Sequence, residues 1–135
     1  MDKERVVKIL SDVEKYFKDL EDREIKTVDD LRDVEKYYAT SMILFSLLNR
    51  IIDLGQEIVL SKKLGMPSTY KEIFEILFER NFITKEMLNE LKKLVDVRNI
   101  LSHEYYRVDI SFIFKAAKRV KVIKEFVKIM KKEIK

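Results

Sequence analysis

Met42-Ile43-Leu44-Phe45-Ser46-Leu47-Leu48-Asn49-Arg50-Ile51-Ile52 is apolar on nearly every side of a helical projection. A helix wetted along one face shows an apolar stripe, whereas one that is apolar all round has neighbours in several directions. This segment is therefore the central helix of a bundle, or is partly covered by a second subunit, or both. Its purest run, Met42 to Leu48, is broken by Ser46. That run falls far short of the roughly 20 apolar residues needed to span a bilayer.

Upstream, Thr27 with Asp29 and Asp30 reads as the start of this helix, where negative charge suits the dipole. Downstream it extends to about Leu64, interrupted only by Gly55. The result is a helix of roughly 35 residues, over about 50 Å long at 1.5 Å per residue. Val6, Ile9, Leu10, Val13, Phe17 and Leu20 recur at helical spacing and mark a first helix from about Lys3 to Leu20. Gly65-Met66-Pro67 breaks the chain, and Thr69 with Glu72 three residues on has the capping-box pattern of a short helix to about Arg80. Thr84 caps a fourth helix carrying Met87, Leu88, Leu91, Leu94 and Val95. Asp109 or Ser111 caps the last helix, which runs close to the C-terminus. With no strand, repeat or linker, the expectation is one all-α domain over residues 1–135, an antiparallel four- to five-helix bundle with a long second helix.

Composition narrows the chemistry. The 135 residues contain two Gly, one Pro, no Cys and a single His, with 39% charged side chains. The absence of Cys removes a disulfide framework and a thiolate nucleophile. One His and no Cys argue against a zinc site, and no metal or other cofactor is expected. The opening MDKERVVKIL lacks the apolar core of a signal peptide, so the expectation is a soluble cytoplasmic protein without membrane contact.

That single histidine lies in Arg98-Asn99-Ile100-Leu101-Ser102-His103-Glu104-Tyr105. Histidine, with an unperturbed pKa of about 6.5, exchanges protons near neutral pH. A general acid and a general base that are both histidines would require two copies of this chain, so an enzyme of that kind has its site across a homodimer. On a helix Arg98 aligns with Ser102 and Tyr105, and Asn99 with His103, on adjoining faces, while Val97, Ile100 and Leu101 turn to the core. A guanidinium presents a planar fork of donors to a phosphate, and a neutral imidazole takes a proton from a hydroxyl. A purely structural assignment is also open from the residues alone. His103 would complement the helix dipole and Arg98 would pair with Asp96, Glu90 or Glu104.

Arg98, Asn99, Leu101, His103 and Tyr105 together resemble the R-x4-H-x-Y signature of HepT-like proteins, small all-helical members of the HEPN superfamily. Tyr37-Tyr38-Ala39, Leu54-Gly55-Gln56-Glu57-Ile58, the Gly65-x-Pro67-x-x-Tyr70 linker and Asp109 extend the likeness over nearly the whole chain. The resemblance implies a metal-independent ribonuclease toxin of a type VII toxin–antitoxin pair, acting as a homodimer with the two motifs facing each other. It implies a partner too, a minimal nucleotidyltransferase of the MntA type that transfers AMP onto the motif tyrosine. Carried over, Arg98 and His103 are catalytic, Asn99 and Ser102 are supporting polar residues, and Tyr105 is the modified residue. The substrate would be tRNA or mRNA, cut to a 2′,3′-cyclic phosphate. Helical spacing puts Tyr105 rather than Tyr106 in line with Arg98. The alternative is a non-catalytic module of the same superfamily that binds RNA or nucleotide, or scaffolds the nucleotidyltransferase.

Basic charge is concentrated at the C-terminus. From Asp109 onward nine Lys or Arg face three acids, while the remaining residues carry a slight acidic excess. Lys121, Lys124, Lys128, Lys131 and Lys135 form one stripe beside an apolar face of Ala116, Val120, Ile123, Val127, Met130 and Ile134. The stripe is a candidate RNA contact through phosphates, or simply a solvated face, since no aromatics interleave for base stacking.

Overall fold

A computed structural model describes residues 1–134, so Lys135 of the basic stripe lies outside the described residues. Among these the regular structure is entirely helical. Helix α1 spans Lys3–Asp22, α2 Val34–Ser61, α3 Tyr70–Glu79, α4 Lys85–His103, α5 Ile110–Arg119 and α6 Lys121–Lys132. Two 3-10 turns, Val28–Arg32 and Tyr105–Arg107, lie before α2 and after α4. No helix is long and apolar enough to cross a membrane.

Helix α2 is the axis of the bundle and packs against α1, α3, α4, α5 and α6. Its 28 residues make it about 42 Å long. Leu44, Leu47, Leu54 and Ile58 have no exposed surface, as an all-round apolar segment requires. Around it close Ile9 and Val13 of α1, Phe74 and Leu77 of α3, Leu91 and Leu94 of α4, Ile113 of α5, and Ile123, Phe126 and Met130 of α6. Phe74 and Phe126 meet edge to face with ring centroids 5.6 Å apart.

The second helix is shorter than its sequence suggests, because both of its ends are set by side chains and backbone angles. Thr27 and its acids do not open α2. The Asp30 carboxylate instead accepts from the N–H groups of Lys26 and Thr27, at 2.8 and 2.9 Å, and closes the separate 3-10 turn. Asp33 then leaves helical geometry (φ −68°, ψ 118°), and its carboxylate caps α2 by accepting from Lys36 N–H. At the far end Lys63 adopts a left-handed φ of 53°, and Leu64 N–H donates back to Val59 O at 2.9 Å. Such a helix stop is usually signalled by glycine. Gly55 does not interrupt the helix. A Cβ there would sit 3.0 Å from Ile73 Cγ2 and 3.3 Å from a Phe74 ring carbon, so the glycine lets α3 approach closely.

The other caps follow the sequence with one refinement. Thr69 and Thr84 accept from Glu72 N–H and Met87 N–H, and Asp109 rather than Ser111 caps α5. The Glu72 carboxylate also accepts from Ser68, through its N–H and its hydroxyl. The expected single last helix is divided at Val120, whose carbonyl accepts from Ile123 N–H in a tighter turn. The bend keeps both halves on the core, with Ile113 and Ala116 buried before it and Ile123 and Phe126 after it.

Candidate active site

Helix α4 carries the motif and anchors it through Leu94, Val95, Val97 and Leu101, all buried. Arg98 emerges between α2 and the start of α3. Its Nε donates to Asn49 Oδ1 at 2.8 Å and its Nη1 donates to Asn99 Oδ1 at 3.2 Å. The guanidinium carbon lies 5.5 Å from the centroid of Phe45 and 5.0 Å from that of Tyr70, over both aromatic rings. None of the acids that could have paired with it does so. Asp96 holds Lys71, Glu90 holds Lys93 and Arg119, and Glu104 holds Arg107. The guanidinium is thus oriented by neutral oxygens and ring faces and has no carboxylate partner among the described residues.

His103 is the last residue of α4 and is exposed, as is Ser102. Asn99, half-buried, lies one helical turn before His103, as the spacing requires. Tyr105 departs from expectation. The helix ends at His103, and Glu104 (φ −131°, ψ 45°) turns the chain into the 3-10 turn that holds both Tyr105 and Tyr106. Tyr105 is therefore not on the helical face of Arg98, and helical alignment does not distinguish it from Tyr106. What distinguishes them is packing. Tyr105 is 45% exposed against 83% for Tyr106. The Tyr105 hydroxyl lies beside Tyr37, whose own hydroxyl donates to Val108 O at 3.2 Å. Burial first, and then the neighbouring Tyr105, push the Tyr37 phenol above its usual 10.0.

Asn49, Phe45 and Tyr70, which fix Arg98, were not singled out by the motif. Asn49 did carry a signal, as a polar side chain on a segment otherwise apolar all round. The face of α2 that leads to it is unusually exposed for apolar residues, with Val34 at 66%, Tyr38 at 59% and Met42 at 64%. These are four residues apart and share one face.

The basic stripe is partly neutralised. Lys124 reaches Glu21 at 3.4 Å and lies over the Phe17 ring, and Lys131 reaches Glu14 at 3.9 Å. Lys121 and Lys128 are exposed on the same helix. Among the described residues no group of three or more His, Asp or Glu side chains is gathered where a metal ion could be held.

A family model described as ribonuclease HepT-like matches residues 7–130. The mRNA nuclease HepT of Shewanella oneidensis is 28% identical over 83 residues, which make up 61% of this chain. The match spans 62% of that curated relative's length. Among solved structures, the tri-AMPylated Shewanella oneidensis HEPN toxin in complex with MNT antitoxin is 20% identical with a TM-score of 0.85, over 94% of this chain and 96% of that one. The cytosolic protein of unknown function YutE from Bacillus subtilis is 23% identical with a TM-score of 0.84, over 98% of this chain and 90% of that one. At these identities the structural likeness speaks for the fold.

Proposed function

This chain belongs to the HepT-like ribonuclease family, and from that membership and the setting of Arg98 we propose that it is a toxin endoribonuclease of a toxin–antitoxin pair, cutting tRNA or mRNA across a homodimer. The observation that carries the proposal is the unpaired guanidinium. Burying part of an arginine among neutral oxygens and rings, while every nearby acid is engaged elsewhere, keeps its charge free for an incoming phosphate.

In this mechanism the substrate phosphate sits on Arg98. His103 of one subunit takes the proton from a ribose 2′-hydroxyl. The 2′-oxygen bonds to phosphorus as the bond from phosphorus to the 5′-oxygen breaks, and His103 of the partner subunit supplies a proton to that leaving oxygen. Arg98 stabilises the charge that develops on the phosphoryl oxygens. The products are a 2′,3′-cyclic phosphate and a 5′-hydroxyl, formed without a metal ion. DNA, which lacks the 2′-hydroxyl, is not cut. Because the chain has one histidine, the pair of imidazoles requires the dimer. The exposed Val34, Tyr38 and Met42, on a face that leads to Asn49 and Arg98, supply an apolar surface for it.

The partner in this proposal is an MntA-like nucleotidyltransferase antitoxin that AMPylates Tyr105, a partly exposed hydroxyl two residues beyond His103. The added phosphate and nucleoside would introduce bulk and negative charge where substrate phosphate must dock. Lys121, Lys124, Lys128 and Lys131 would contact the RNA outside the cut site. The pairing of Lys124 with Glu21 and of Lys131 with Glu14 does not prevent this, because exposed ion pairs exchange partners at small cost.

The test is cleavage of end-labelled tRNA and mRNA in EDTA by purified protein whose intact mass shows Tyr105 to be unmodified. Cyclic-phosphate ends that disappear in Arg98→Ala and His103→Ala are the expected result. A verified, unmodified dimer that cuts neither RNA, or one whose cutting survives both substitutions, would refute it and leave a binding or scaffolding module.

A further inference from the structure

A cleft of about 700 Å³ opens beside Arg98, between α2, the linker before α3, and α4. Its size falls within the range of about 300–1,000 Å³ typical of small-ligand sites. Two of its walls touch the guanidinium directly, since Asn99 accepts from Arg98 and the Tyr70 ring stacks on it. Whatever occupies the cleft is therefore a neighbour of whatever sits on Arg98.

The chemistry of the lining selects the occupant. Lys71 and Asp96 both border the cleft, and they neutralise each other at 2.7 Å. No net charge is left there to attract a phosphate. The other polar side chains of the lining are the neutral amides of Gln56 and Asn99 and the hydroxyls of Ser68 and Thr69, which are already bonded to Glu72, set against Ile73 and Val95 at the base and Tyr70, 40% exposed, at the side. An apolar floor, an aromatic wall and an amide rim fit a flat, uncharged ring whose edge both donates and accepts hydrogen bonds. Unpaired nucleobases have this character, and single-stranded RNA is commonly recognised by stacking on aromatic or arginine planes with hydrogen bonds to the base edge.

We propose that this cleft holds the base of the nucleotide adjoining the phosphate on Arg98, with Tyr70 against the ring and Gln56 reading its edge. The proposal rests on the ribonuclease assignment above and extends it. The substrate must be unpaired at the cut, and Gln56 and Tyr70 set sequence preference there.

Gln56 is the only glutamine in the chain, so its side-chain NH2 pair is a unique NMR probe. The full-length 15N-labelled protein would be titrated with 2′-O-methyl dinucleotides, which lack the attacking hydroxyl, and with the same compounds made abasic on one side. The expected result is a shift of the Gln56 amide pair that requires the base, with binding weakened at least fivefold in Gln56→Ala and in Tyr70→Ala. A Gln56 pair that does not move, or equal affinities of wild type and Gln56→Ala, would overturn the proposal. Failure of the ribonuclease assignment is distinguishable, because it would appear as absent cleavage while the base-dependent shift persists. Failure of the cleft alone would appear as cleavage by a protein whose Gln56 signal is indifferent to the base.

Discussion

Arg98 is defined by what surrounds it. Two amide oxygens and two ring faces hold the guanidinium in place without cancelling its charge. Each cation–π contact contributes roughly 0.5–1 kcal/mol at a partly exposed site, enough to favour one rotamer. Asn49 is the residue whose identity matters most to this arrangement, because aspartate has the same shape and a full charge. Asn49→Asp is expected to leave the melting temperature equal or slightly higher, through a new charged hydrogen bond to Arg98. It should lower RNA cleavage by at least about tenfold, the equivalent of roughly 1.4 kcal/mol, since the phosphate must then compete with a carboxylate. Cleavage assays and thermal melts of the same preparation check both halves. Unchanged cleavage would show that the charge of Arg98 is not used. Tyr105 teaches a related lesson: its position in the motif was legible, but its placement beside Tyr37 follows from a helix that stops two residues earlier.

At the level of elements, the boundaries of α2 were the least legible feature. Helix periodicity continues through Thr27 to Asp33, and it took the Asp30 carboxylate and the extended backbone of Asp33 to separate a short turn from the helix. The far end is marked by Lys63 in a left-handed conformation that costs a non-glycine residue about 1 kcal/mol. Lys63→Gly should relieve that cost. Since Lys63 is exposed, the variant is expected to be more stable by about 0.5–1 kcal/mol. Chemical denaturation should show this as a higher midpoint at unchanged slope. A lower midpoint would mean that glycine's extra freedom in the unfolded chain outweighs the relief of strain. Gly55 interrupts the apolar pattern in the sequence but not the helix, which runs through it, and the missing side chain accommodates α3.

The whole molecule is held by a core that runs from α1 to α6 and by ion pairs that tie α1 to α2. Asp12 receives Lys8 at 3.0 Å and Arg50 at 2.8 Å. The Lys8 hydrogen bond most of all, with Arg50 acting in the same sense against the opposing effect of burial, holds its carboxyl below the usual 3.8. A carboxylate depressed in the folded state stabilises the protein above its unfolded pKa, and that contribution is lost as pH falls through the folded value. Thermal stability should therefore decline below about pH 4. Asp12→Asn should melt earlier at neutral pH and show a shallower acid decline, as melts at a series of pH values would show. Assembly belongs to the same scale. Met42 is 64% exposed on the apolar face of α2, so a charge there costs the isolated fold little. Met42→Glu is expected to turn a dimer into a folded monomer by light scattering and to abolish cleavage. A dimer that persists would place the interface elsewhere.

That the protein is helical, which segment lies at its centre and which polar residues cluster at the end of one helix all follow from the chain's own pattern. These are properties of period and composition: apolar residues at helical spacing, scarce Gly and Pro, and one histidine near one arginine. What Arg98 touches depends on how the helices pack. Its partners Asn49 and Phe45 lie about fifty residues earlier on another helix, and Tyr70 lies on a third. The cleft beside it is likewise shared between α2, α3 and α4. No local pattern encodes such contacts, because they arise when packing brings separate helices together and leaves some of their polar groups facing one another.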